Sequence, residues 1–103
     1  MSDALWRRSA HDLARLIATR AVSPLEVTQT VLERVDRLQP TLNAFITVCH
    51  DTALAAARRA EQAVIDGAPL GPLHGVPYAV KDLVNTAGVR TTFGSRVFEH
   101  NVP

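Results

Sequence analysis

Apolar positions recur at helical spacing early in the chain. Ala10, Leu13, Ala14 and Ile17 fall at i, i+3, i+4 and i+7, and Leu16 widens the stripe. Ser9, with Asp12 three positions later, forms an acidic variant of the capping box and predicts the start of this helix. A second start is written more strongly: Ser23 reads as N-cap, Pro24 as the first helical residue and Glu26 as the third. Val22 and Val27 stand where a hydrophobic staple places them, and Val27, Val31, Val35 and Leu38 line one face. Pro40 predicts the end of that helix, because the residue before a proline is pushed out of the α region.

The pattern then shortens. Leu42 to Val48, LNAFITV, is brief, rich in β-branched and aromatic residues, and predicts a strand. A third helix is predicted from about Asp51 to Asp66, with Ala53, Ala57, Ala60 and Val64 as its inner face and Gly67 placed to close it. Its small side chains suit a helix lying close against a sheet. Gly67, Pro69, Gly71, Pro72, Gly75 and Pro77 make the next segment turn-rich. A second strand, Val76 to Val80, emerges from it and runs into Lys81-Asp82 and Leu83-Val84. A polar, irregular stretch through Thr91, Thr92, Gly94 and Ser95 follows.

The predicted order is helix, helix, strand, helix, strand, loop. That order reads as an α/β fold with a βαβ-like unit, which needs further strands and helices beside it. The expected organisation is a single partial domain over residues 1–103, with helical elements over about 9–39 and the start of an α/β core over about 42–103. The pattern thus reads as the opening part of something larger.

Composition narrows the function classes. The chain has 103 residues, 47% of them hydrophobic and 20% charged, within the range of soluble globular domains. A formal net charge of +1 supplies no basic field for nucleic acid, so no direct nucleic-acid partner is expected. No stretch approaches the roughly 18 apolar residues of a membrane span, so no membrane partner is expected. Met1 to Arg8 leads into no apolar run of the kind a secretory signal carries. The lone Cys49 cannot form an intrachain disulfide, and a cytoplasmic location is the expectation.

Ten of the eleven basic residues are arginine, and Lys81 is the only lysine. It stands at the end of the second predicted strand, where sites in open α/β sheets lie. Burial there would disfavour the ammonium form, and a neutral amine can act as general base. Spacing alone favours the plainer alternative, in which Lys81 reaches water or pairs with Asp82.

Gly71 to Ser95, GPLHGVPYAVKDLVNTAGVRTTFGS, resembles the first signature of the amidase signature family. The matching features are the Gly-Pro-Leu-His-Gly-Val-Pro opening, the Val-Lys-Asp end of a strand, and the Thr-Ala-Gly and Thr-Thr-x-Gly-Ser loop. The two N-terminal helices and Leu42-Asn43-Ala44-Phe45 are similar to the family's opening elements, so the resemblance runs from about Ser9 to Ser95.

The resemblance implies a mixed sheet wrapped by helices. It implies hydrolysis of the carbon–nitrogen bond of a small-molecule carboxylic amide, with no metal and no organic cofactor. The family's Ser–cis-Ser–Lys triad relays protons from lysine through one serine to a second, nucleophilic serine, while loop N–H groups hold the oxyanion. The triad lysine maps onto Lys81. Ser2, Ser9, Ser23 and Ser95 match neither triad serine, because the family's Gly/Ser-rich signature lies further along. The implied chain is the N-terminal part of an amidase, inactive alone, whose full-length enzyme could form a homodimer. The same opening fits the A subunit of a glutamine-dependent aminoacyl-tRNA amidotransferase, or a non-catalytic binding fragment that docks on a full-length relative.

Other residues read more plainly. Cys49 and His50, adjacent on a strand end, would point to opposite faces and make a poor catalytic pair. His11, His50, His74 and His100 show no metal-ligand spacing. His74 in the Gly-Pro loop reads as a loop hydrogen bond. Ser95 reads as a loop residue rather than a nucleophile. Gly71 to Gly75 lacks the glycine spacing of a phosphate loop. Arg58-Arg59 reads as a solvated face, and Trp6 as an anchor for a core or a partner.

Overall fold

In a computed structural model, the structure describes residues 2–103, with side chains from Leu5 onward; Met1 lies outside the described residues. A 3-10 turn spans Ser2–Arg7 and is followed by three α-helices: α1 (Ala10–Ala18), α2 (Pro24–Leu42) and α3 (His50–Ile65). A short 3-10 turn, Arg96–Phe98, comes late. The chain divides into two compact units. One holds the residues up to Ala44 together with Cys49–Pro77, and the other holds Phe45–Val48 and Tyr78–Pro103.

The helical unit forms where local signals are strongest. Ser9 Oγ accepts the Asp12 N–H at 3.0 Å, and Ser23 Oγ accepts the Glu26 N–H at 2.9 Å, so both predicted caps are made. The α1 stripe is buried at Leu13 and Ile17, and the α2 stripe at Val27. With Leu5 and Val64 these form the unit's core, and Val22, Leu70 and Val76 pack against it. The first 3-10 turn and α3 both pack on α2. Arg20 follows α1 in the left-handed region (φ 65°), and its guanidinium donates to the Val64 carbonyl at 3.0 Å near the C-terminus of α3. A cation there meets the negative end of the helix dipole. Gly67, at φ +70°, closes α3 as predicted.

The mixed-sheet α/β expectation is corrected by the structure. Among the described residues there is no strand and no sheet; the β structure is one isolated antiparallel bridge, Thr86 to Val89. The first predicted strand, Leu42–Val48, begins inside a helix. Pro40 sits within the last turn of α2, which runs on to Leu42 before Asn43 turns into the left-handed region (φ 47°) and donates its N–H to the Gln39 carbonyl at 2.7 Å. So near a helix end, proline sacrifices a single ladder bond and does not stop the chain's turn.

The second predicted strand, Val76–Val80, fails for a different reason. Val76 bonds back to the Leu73 carbonyl in a turn, Pro77 has no N–H to give, and Tyr78, Ala79 and Val80 are exposed. Helix signals are local, whereas strand composition promises only that a segment would suit a pleated neighbour. Accordingly α3, with Ala57 and Val64 buried, packs on α2 rather than on a sheet. No helix among the described residues is long and apolar enough to cross a membrane.

Candidate functional site

Lys81 lies in the loop unit, and its side chain is exposed rather than buried at a strand end. Its carbonyl accepts the Val84 N–H at 3.0 Å, so Lys81 opens a tight turn over residues 81–84. Among the described residues no ion pair joins Lys81 to Asp82.

The neighbouring carboxylate faces the Thr-Thr loop instead. Asp82 Oδ1 accepts the Thr92 N–H at 2.7 Å, and Oδ2 accepts a hydrogen bond from the Thr92 hydroxyl. The Gly94 N–H donates to Thr92 Oγ1 at 3.2 Å, and Phe93 and Gly94 both take left-handed backbone (φ 54° and 69°) to curl the loop around this point. The Thr92 hydroxyl, then the Thr92 N–H, hold the Asp82 carboxyl below the usual carboxylate range; the Gly94 N–H and the Arg90 charge add to this, against a smaller opposing effect of burial.

The loop is itself braced. Thr91 is 1% exposed. It donates its N–H to the Asn101 carbonyl at 2.9 Å, while the Asn101 amide donates back to the Thr91 carbonyl at 3.0 Å. Arg90 ties three separate stretches by donating to the Glu99 carbonyl at 2.9 Å and the Ile46 carbonyl at 3.3 Å. Phe93 and Phe98 meet edge-to-face with ring centroids 5.3 Å apart. This frame grips Asp82, the residue after Lys81, and the Lys81 side chain is exposed.

The remaining candidates resolve one by one. Ser95 accepts the Val97 N–H at 3.2 Å and so caps the late 3-10 turn, as Ser9 and Ser23 cap α1 and α2. His74 Nε2 lies 2.9 Å from the Ala60 carbonyl, the loop hydrogen bond expected of it. The strand-end reading of Cys49-His50 is corrected: Cys49 is the N-cap residue of α3, and His50, the first residue of that helix, meets Asp36 at 2.8 Å. Trp6 lies beneath the Arg34 guanidinium, 3.9 Å from its ring centroid. Arg58 and Arg59 are exposed. Sequence reasoning missed the Asp82–Thr92 clasp and the Thr91–Asn101 exchange. The signal for the clasp was present, because Lys81-Asp82 and Thr91-Thr92 belong to the same Gly71–Ser95 segment.

Comparison with known proteins agrees with that segment's resemblance. A family model described as Amidase matches residues 26–103. The chain is similar to the A subunit of glutamyl-tRNA(Gln) amidotransferase from Acidothermus cellulolyticus, 47% identical over 100% of this chain and 20% of the relative. It is also similar to the proteins of the same name from Heliobacterium modesticaldum (38% identical, 96% of this chain, 20% of the relative) and Cutibacterium acnes (45%, 92% and 19%). The chain thus spans about one fifth of the length of the curated relatives it matches. No solved structure matches it.

Proposed function

The chain belongs to the amidase family, and from that premise we propose that it supplies the proton-relay lysine, Lys81, to an enzyme that cleaves the carbon–nitrogen bond of carboxylic amides. In this reading the Lys81 amine takes a proton through one serine from a second serine. The second serine adds to the amide carbonyl, the carbon–nitrogen bond breaks, and ammonia or an amine leaves with a returned proton. Water then releases the acid from the acyl-serine. Both serines and the oxyanion donors belong to the Gly/Ser-rich part of such an enzyme, which Ser9, Ser23 and Ser95 do not represent, since all three cap helical turns. The observation that carries the reading is an open lysine side chain on a loop whose backbone is pinned by the adjacent Asp82.

Within amide-cleaving enzymes, the relatives favour one kind. All three described above are named as A subunits of glutamyl-tRNA(Gln) amidotransferase. The corresponding role for this chain is within a subunit that frees ammonia from glutamine for protein partners acting on charged tRNA.

The test replaces the matching segment of the Acidothermus relative with this chain, assembles it with that relative's partner subunits, and follows ammonia release from glutamine and from simple carboxamides. Release in the chimera is expected, with a loss of about 10²- to 10⁴-fold on Lys81→Ala, the usual worth of a positioned general base. A Lys81→Ala chimera that folds and keeps the parental rate would remove the relay role. Release from simple carboxamides without any need for the partner subunits would point to a stand-alone amidase instead.

A further inference from the structure

Lys81 is the one residue of its turn to which chemistry is assigned, yet among the described residues no hydrogen bond to its side chain orients it. What the structure does hold tightly is the next residue. Asp82 carries both of its oxygens to a single residue ten positions on, receiving the Thr92 N–H and the Thr92 hydroxyl. A carboxylate bound through both oxygens fixes direction as well as distance, as charge-assisted bidentate pairs do. Thr92 is in turn held in place: it is 6% exposed, its hydroxyl accepts the Gly94 N–H, its carbonyl accepts the Ser95 N–H at 2.9 Å, and its neighbour Thr91 exchanges two hydrogen bonds with Asn101. The Val84 N–H also bonds the Lys81 carbonyl, in the peptide that joins Lys81 to Asp82. The backbone that follows the Lys81 Cα is therefore held twice, through its own carbonyl and through the Asp82 carboxylate, while the Lys81 side chain is spent on neither contact.

We propose that Asp82 and Thr92 are positioning residues for Lys81, a clasp that sets where the lysine side chain leaves the backbone and keeps the neighbouring carboxylate from neutralising the amine. This rests on the relay reading of Lys81 and deepens it. The clasp separates two jobs that a Lys-Asp pair could otherwise confuse. An Asp82 free to swing would hold the ammonium as an ion pair and oppose proton release; an Asp82 bound by Thr92 cannot. Pre-organisation of this kind lowers the cost of reaching reactive geometry without adding any contact to substrate.

The proposal is tested in two ways. In the 103-residue chain, backbone amide relaxation at Lys81 is measured by NMR for the parent, Thr92→Val and Thr92→Ser. Thr92→Val removes the hydroxyl and is expected to raise Lys81 mobility; Thr92→Ser keeps the hydroxyl and is expected to return it to the parental value. In the chimera described above, Asp82→Asn and Thr92→Val are expected to lower kcat at least tenfold with KM within twofold, and Thr92→Ser to restore it, with helical circular dichroism unchanged. A general loss of structure would instead move KM, kcat and circular dichroism together and would overturn the proposal. If Lys81→Ala is inactive while Asp82→Asn and Thr92→Val run at the parental kcat, the clasp has no positioning role and only this inference falls. If Lys81→Ala is itself active, the relay reading falls, and the clasp's role with it.

Discussion

In the helical unit the most deeply buried side chains are Ile17, Val27 and Pro24; in the loop unit they are Thr91 and Thr92. The first unit excludes water with aliphatic groups whose positions repeat along helices. The second closes around hydroxyls and main-chain groups, and turns much of its apolar surface outward: Tyr78 is 86% exposed and Val97 85%, with Leu83, Val84 and Val102 also open. Apolar burial is non-directional and tolerates adjustment, whereas a hydrogen-bonded frame fixes angles. Lys81, the residue proposed as proton relay, lies in the unit built from directional contacts. An apolar core in one unit and a polar, hydrogen-bonded frame in the other are what separate the two regions.

The sharpest way to break the comparison is to remove apolar volume from the helical unit. Ile17 has no exposed surface and belongs to the core cluster of its unit. Ile17→Ala is expected to cost about 4 kcal/mol, read as a fall in the urea midpoint. Gly75→Ala comes next, at about 3 kcal/mol. Gly75 has φ +81°, and an added Cβ would lie 2.9 Å from Pro24 Cγ and 3.2 Å from Ile17 Cδ1, so backbone strain and overcrowding act together. A smaller loss, about 1 kcal/mol, is expected from Ser23→Ala, which leaves the Glu26 N–H without its cap; thermal melting of the helical signal measures it.

The loop unit is expected to answer to pH where the helical core does not. Asp82 has its folded pKa lowered by the Thr92 hydroxyl and N–H. Its contribution is therefore fully present above the ordinary carboxylate pKa, and is lost as pH falls through the lowered folded value. The chemical shift of the Thr92 amide is expected to titrate only in acid below the usual aspartate range, and Asp82→Asn to abolish that step. A step at the ordinary aspartate value would show that the clasp does not form in solution.

The same contrast explains what was legible in the sequence. Ser9, Ser23 and Gly67 announce helix boundaries through neighbours three or four residues away, and all three behave as read. The helical stripes through Leu13, Ile17 and Val27 are likewise local and legible. Pro40 misleads because a proline in a final turn loses one bond and does not end the helix there. Leu42–Val48 and Val76–Val80 mislead as strands because strand composition needs a partner that composition cannot name, and here left-handed Asn43 and the turn before Pro77 prevail. The Asp82–Thr92 pairing spans ten residues of irregular chain, beyond any periodic pattern. The Gly71–Ser95 motif nevertheless contains both ends of that pairing, so the site was legible as a motif before it was legible as geometry.

The relay role proposed for Lys81 is tested most directly by Lys81→Arg in the chimera, measured as kcat for amide cleavage at neutral pH with folding checked by circular dichroism. Arginine keeps the positive charge and much of the length but does not give up its proton. The account predicts a collapse of kcat as deep as that of Lys81→Ala. An arginine variant that works at close to the parental rate would mean that a fixed charge is all this position supplies, and would contradict it.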